Sequence, residues 1–245
     1  MKQHEAVIAT LENLGGIATL GQLYQEVFKI KDCEWKTKTP FASIRRIVQT
    51  NKEIYKIKPG LYGLVSHKKQ NEANGIIEET AQNKNSKDIT EFNHSYYQGL
   101  IITIGNLKKL KTFLPNQDKN KMFLNEKLGN LATLKEIPAF SFKNLVRRSS
   151  TIDVIWFYDK LMPHSFFEVE HSTDIQNSLL KFNDLHYFHT RMFIVADKVR
   201  RNEFDDKINL TGLENIKDRV QFLDYESLSK QYEQIIERTQ FPVII

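Results

Sequence analysis

A single cysteine, Cys33, stands in 245 residues, which excludes a disulfide framework and any cysteine-built zinc site and suits a reducing compartment. Long apolar runs are absent too. Nothing approaches the roughly 20 residues of a membrane span, and the opening MKQHEAVIATLENLGG has no secretory apolar stretch. A soluble, cytoplasmic chain with no membrane partner is therefore expected. No internal repeat and no glycine-rich phosphate loop occurs. His164, His171, His186 and His189 include no H-x-x-x-H pair, and His186-x-x-His189 is an unspecific spacing. A histidine-built zinc site is not expected.

What is present is an uneven charge. Residues 1–69 carry twelve basic and six acidic side chains, so they hold the whole of the net +5, and the remainder is slightly acidic. A local positive segment is the electrostatic footprint of something that meets phosphate. The 40% apolar content allows a real core, and the length allows one large or two modest domains.

The basic segment reads as three helices and a hairpin. Val7, Leu11 and Leu14 share one helical face, ended by Gly15–Gly16. Thr19 with Gln22 forms a capping box that opens a second helix carrying Leu23 and Val27. Thr39-Pro40 starts a third, which buries Phe41, Ile44 and Val48. Two short strand-like runs then flank Lys58-Pro59-Gly60-Leu61, a type II turn sequence. Three helices and a β-hairpin over residues 1–67 predict a winged helix-turn-helix. Its third helix would offer Thr39, Ser43, Arg45 and Arg46 to a DNA groove, with Lys36, Lys38, Lys56 and Lys58 meeting phosphates. Residues 68–92, rich in Asn, Lys, Glu and Ser with one apolar pair, Ile76–Ile77, are expected to be a tethering linker with room for a helical piece.

The chemistry concentrates in residues 151–185, TIDVIWFYDKLMPHSFFEVEHSTDIQNSLLKFNDL. Two strand-like runs, Ile152–Phe157 and Ser165–Glu170, flank a polar turn. Alternation places Glu168 and Glu170 on one face and Phe167 and Val169 on the other. A hairpin would bring Asp153 beside both glutamates. Three converging carboxylates repel one another without a cation among them, and hard oxygen ligands suit Mg²⁺. A helix follows after the N-cap types Ser172, Thr173 and Asp174, with Ile175, Leu179 and Phe182 at helical spacing. Gln176 on that helix is a candidate to orient water or phosphate.

Elsewhere in residues 93–245 the pattern gives a helix from His94 to Gly105, a strand at Lys111–Leu114, and helical pieces over Phe123–Leu134. Glu126 and Glu136 are candidate upstream metal ligands, and Arg147 and Arg148 candidate DNA contacts. Arg191–Asp197 and Val220–Asp224 read as strands, with helices at Val199–Ile208 and Tyr225–Arg238. Five strands interleaved with helices predict a mixed sheet flanked by helices.

The order of acid, hairpin, acid-x-acid and helix resembles the PD-(D/E)xK, or restriction-endonuclease-like, nuclease superfamily, through Asp153, Glu168 and Glu170. Ile152 stands where proline precedes the first acid, and Glu170 replaces the usual lysine, giving an E-x-E variant. Residues 3–65 resemble the HARE-HTH winged helices, through EAVIATLENLGGIATLGQLYQEV and KIKPGLYGL. The resemblances imply an α+β/α/β chain: a winged helix-turn-helix, then a restriction-endonuclease-like mixed sheet. They imply a Mg²⁺-dependent type II restriction endonuclease acting on double-stranded DNA, with modification of the site sometimes read. Asp153, Glu168 and the Val169 carbonyl would hold the metal, and Glu170 or Lys181 would take the lysine's place. One centre cuts one strand, so duplex cleavage calls for a homodimer or sequential nicking. Two alternatives stay open at this point: a DNA-binding regulator with a degenerate nuclease fold, and a structure-specific repair nuclease.

Overall fold

The computed structural model describes residues 1–84 and 86–240. The chain divides into two compact units, one of residues 1–92 together with those from Ser229 onward, the other Asn93–Leu228.

The first unit begins with α1 (Gln3–Asn13), which buries Ala6, Val7, Thr10 and Leu11. Gly15 and Gly16 follow it at φ +85° and +83°, a conformation that side chains with a Cβ resist. Then come β1 (Ile17–Thr19) and α2 (Leu20–Glu26). The Thr19 hydroxyl accepts the Gln22 amide at 3.1 Å, and the Thr19 amide donates to Gln22 Oε1 at 2.8 Å, the expected capping box. α3 (Pro40–Thr50) starts on proline and buries Ile44, Ile47 and Val48. β2 (Ile54–Lys58) and β3 (Leu61–Leu64) meet through the Pro59–Gly60 turn, with Gly60 at φ +73°. The antiparallel sheet has the order β1-β3-β2.

Residues 68–92 depart from a bare tether. They form α4 (Lys68–Ala73) and start α5 (Lys87–Leu107), and Ile76, Ile89 and Phe92 are buried. The burial, rather than the helix, is what composition does not announce, because a polar segment can fold when it borrows apolar partners from elsewhere.

In the second unit α5 packs Tyr96, Tyr97 and Leu100 to Ile102 out of water, so burial overrides the weak helical preference of its β-branched residues. Next are β4 (Lys111–Phe113), the two-residue strands β5 (Met122–Phe123) and β6 (Glu126–Lys127), and the single turn α6 (Leu128–Leu131). The helical pieces expected over Phe123–Leu134 are thus a small ribbon and one turn. Leu124, at φ +53°, reverses the chain there. α7 (Lys143–Ser149), β7 (Val154–Phe157), β8 (Pro163–Glu170), α8 (Ile175–Asp184), β9 (Arg191–Ala196), α9 (Arg201–Ile208), β10 (Val220–Asp224) and α10 (Tyr225–Gln240) complete the chain.

The five-stranded sheet has the order β10-β9-β8-β7-β4. β8, β9 and β10 are mutually parallel, while β8–β7 and β7–β4 are antiparallel. Ile155, Phe157, Phe166, Met192 and Ile194 pack with Ile175, Leu179 and Phe182 in one cluster. Each such side chain contributes about 1.5–3 kcal/mol on full burial. This cluster fixes α8 against the sheet and so fixes what α8 presents to the end of β8. Among the described residues no helix is long and apolar enough to cross a membrane.

Candidate active site

The site is built where β7 begins and β8 ends. Val154 pairs with Phe167 in the antiparallel register, which sets Asp153 opposite Glu168. The Val169 amide donates to Asp153 Oδ2 at 2.8 Å, fixing that carboxylate against β8. Alternation then carries Glu168 and Glu170 to a common face, as the spacing predicts. All three acids are buried, at 8%, 1% and 5% exposure for Asp153, Glu168 and Glu170.

α8 supplies the counterparts. Asp174 caps it by accepting the Gln176 amide at 2.9 Å. One turn along, the Ser178 hydroxyl lies 2.9 Å from Glu168 Oε2 and also contacts Glu170 Oε1. Thr173 donates its hydroxyl to the other oxygen of Glu170. Lys181, three residues past Ser178 and on the same face, donates to Glu168 Oε2 at 2.7 Å and to the Thr151 carbonyl at 3.3 Å.

Gln176 does not join them. Its Oε1 accepts from Lys207 on α9 at 2.9 Å. At about 100° per residue, Gln176 lies well round the helix from both Ser178 and Lys181, so it turns away from the acids. The residue that does face them is Ser178, which could have been found from its i,i+3 relation to Lys181.

The electrostatics follow from burial. It raises the carboxyl pKa of Asp153, opposed by His94 and by the Val169 amide. Burial and then the Asp153 charge lift Glu168 well above the usual range. Glu170 is raised by burial against the pull of Ser178 and Thr173. For Lys181, burial works to lower the pKa, but the attraction of Glu168, Asp153 and Glu170 outweighs it and raises the value. One ammonium thus stands against three buried acids. Glu168 Oε1 is buried and has no hydrogen-bond partner among the described residues. Three hard, dehydrated oxygen donors with one oxygen unpaired fit a divalent cation, which Asp153, Glu168 and the Val169 carbonyl would hold.

A further group meets Asp153 from the other side. His94 on α5 approaches Asp153 Oδ1 at 3.6 Å. Ligating atoms of His94, Asp118 and Asp153 all lie within 4.8 Å of one another. Asp118 sits in the turn after β4, and neither Glu126 nor Glu136, both exposed, takes that place. No spacing in the sequence announces His94 or Asp118, since a helix, a loop and a strand end bring them together.

The expected DNA-contacting residues divide. Lys38, Thr39, Arg46, Lys56 and Arg147 are exposed. Lys36 is exposed and pairs with Glu34 at 3.2 Å, and Ser43 is half-buried. Arg45, by contrast, is bound to Glu237 at 2.6 Å and lies over the Tyr24 ring. Lys58 is only 5% exposed, pairs with Glu79 at 3.3 Å and lies over Phe92. Arg148 pairs with Asp184 at 2.7 Å. Lys58 therefore serves the first unit's own packing, and Arg45, its side chain still 40% exposed, is engaged by Glu237.

The profile of the type II restriction enzyme NmeDI C-terminal domain matches residues 75–244 and takes in every acid of the site. The type II restriction enzyme NmeDI of Neisseria meningitidis serogroup C is 28% identical over 156 residues, 59% of this chain and 44% of that relative. The chain thus spans less than half the length of that curated relative. No solved structure matches it. A profile that covers more than two thirds of the sequence, with the clustered carboxylates inside it, places the chain in the family of the NmeDI C-terminal domain, a domain of type II restriction enzymes.

Proposed function

We propose that the chain is a Mg²⁺-dependent endonuclease that hydrolyses phosphodiesters of double-stranded DNA at a specific site, as a type II restriction enzyme. The observation that carries this reading is the meeting of Asp153, Glu168 and Glu170 with Lys181 at the end of β8. Its kinship with a type II restriction enzyme supports the same chemistry.

Bound Mg²⁺ supplies charge neutralisation at the phosphate and acidifies a water. The chain's own groups do the rest. Asp153, held by the Val169 amide, and Glu168, held by Ser178 and Lys181, give fixed oxygens to receive the cation. Glu170 stands where the superfamily's lysine is usual, and its oxygens accept the proton of an attacking water. Lys181 reaches the acids from α8 and takes over the positive charge that residue 170 lacks. We assign to Lys181 an electrostatic role at the scissile phosphate, and to Ser178 the positioning of both glutamates.

In this reading residues 1–67 are a winged helix that delivers the nuclease, residues 68–92 join it, and the rest is a restriction-endonuclease-like core. Arg46, Lys38 and Lys56, exposed beside or on α3 and the hairpin, meet DNA phosphates. A homodimer would cut both strands, and the site of action is the cytoplasm. The test is digestion of methylated and unmethylated DNA with Mg²⁺ or with chelator. Discrete, Mg²⁺-dependent fragments support the reading. Tight DNA binding with no cutting on any substrate would replace it with a non-catalytic binder.

A further inference from the structure

We propose that the groove between α7 and the end of α8 is a base-reading subsite, which seats the nucleotide beside the cleaved bond through Arg147, Asn183 and Tyr187. The inference deepens the reading of the chain as a nuclease of duplex DNA and rests on it.

The groove has a volume of about 830 Å³, within the roughly 300–1,000 Å³ usual for a site that holds a small molecule. It adjoins the carboxylate centre. Thr151, just before Asp153 in the chain, lines it. The Thr151 carbonyl accepts from Lys181 at 3.3 Å, and the same ammonium reaches Glu168 at 2.7 Å. A nucleotide in the groove is therefore the neighbour of one whose phosphate meets the acids.

The lining decides the ligand. Phosphate oxygens only accept hydrogen bonds, so a groove for the backbone alone calls for donors and no acceptors. Here Asp184 pairs with Arg148 at 2.7 Å. That leaves Arg147, exposed and in no ion pair among the described residues, to meet one phosphate. Asn183 brings an acceptor: its Oδ1 is buried and has no hydrogen-bond partner among the described residues. From α7, Arg148 Nε is buried and unpaired likewise. Such atoms are costly until a ligand pairs with them. A turn of the Asn183 side chain offers its oxygen to a base with an exocyclic amino group, adenine or cytosine.

Tyr187 adds a flat surface. It is 72% exposed, and its ring lies 3.9 Å from that of His186, centroid to centroid. The turn that carries both is held in place. His186 Nδ1 donates to the Asn183 carbonyl at 2.6 Å, and Arg219 donates to the His186 and Phe188 carbonyls at 2.6 and 2.7 Å. An exposed aromatic ring on a fixed turn suits packing against a base.

The test is selection from a pool of duplexes randomised in sequence, bound to the full chain in chelator so that nothing is cut, with the retained DNA sequenced. Wild type is expected to enrich one sequence. Asn183→Ala and Tyr187→Ala should each relax the preference at one and the same base pair by at least about fivefold, with the other positions as in wild type. Arg147→Ala should weaken binding alike across sequences and make its salt dependence shallower by about one unit of slope. Tyr187, being exposed, decides the matter even if Asn183→Ala fails to fold. Unchanged sequence profiles in both Asn183→Ala and Tyr187→Ala overturn the subsite, whether or not Arg147→Ala shows a phosphate contact. A wild type that enriches no sequence overturns it too. The nuclease reading is judged separately by Mg²⁺-dependent cutting, which this selection does not use.

Discussion

Lys181 on α8 and Glu168 on β8 meet at 2.7 Å, with Glu168 almost wholly buried and Lys181 about a quarter exposed. The sequence places these residues thirteen apart, and only the packing of α8 on the sheet joins them. Because the helix is pinned by Ile175, Leu179 and Phe182, the ammonium arrives at a fixed place among the acids. Removal of either partner leaves the other short of charge compensation in a dehydrated site.

Lys181→Met should therefore destabilise the protein by about 2 kcal/mol, less than the roughly 3–5 kcal/mol that breaking a fully buried pair costs, given its partial exposure. Glu168→Gln in the same chain should restore part of that loss. Urea unfolding of the two single variants and the double variant measures the coupling. Strict additivity would show that the pair is not energetically linked.

Ser178→Ala removes the hydroxyl that both glutamates contact. A loss of roughly 1–3 kcal/mol in stability is expected if the acids stay ionised without it. Cleavage should fall with kcat, since the substrate's own contacts are untouched, and Ser178→Thr should recover part of the rate. A variant with wild-type kcat would remove Ser178 from the site's positioning groups.

Much of this geometry was legible in the chain. The hairpin of two apolar runs with an acid at the start of one and E-x-E at the end of the other has one register that buries Val154 and Phe167, and it sets Asp153 against Glu168. Val220–Asp224 reads as a strand in the sequence and forms one with the same bounds. Asp174 caps α8 as its residue type predicts. The misses are long-range. Arg45 looks open on its own helix, but Glu237, 192 residues later, occupies it. Lys58 reads as a surface lysine until Glu79 and Phe92 bury it. His94 and Asp118 carry no local signal, because tertiary packing alone gathers them.

Arg45 and Arg46 consequently separate under mutation. Arg46→Ala should weaken DNA binding and make its salt dependence shallower by about one unit of slope, as loss of a phosphate contact does. Arg45→Ala should leave that slope unchanged and lower stability by up to about 1 kcal/mol, since its pair with Glu237 is only part-buried. Binding isotherms at several salt concentrations, paired with thermal melts, distinguish the two effects. Equal slopes for both variants would contradict the assignment.

Glu233 on α10 gives a pH prediction within the first unit. Burial first, opposed by Arg45 and reinforced by Glu237, pushes its carboxyl up to about 6 from 4.5. The folded value lies above the unfolded one, so the folded state holds the proton more tightly. The stability from this group is complete below pH 4.5 and is lost as pH rises through about 6. Glu233→Gln should flatten the melting temperature between those values and raise it at pH 8 relative to wild type. An unchanged pH dependence would show that Glu233 titrates normally.

The most direct test of the carboxylate centre is Mg²⁺-dependent cleavage of duplex DNA by wild type and by Asp153→Asn, with folding checked by circular dichroism. The account predicts discrete fragments from wild type, abolished by chelator, and a rate at least about a hundredfold lower in Asp153→Asn, beyond what loss of an outer partner costs. Cleavage by folded Asp153→Asn at the wild-type rate would contradict it.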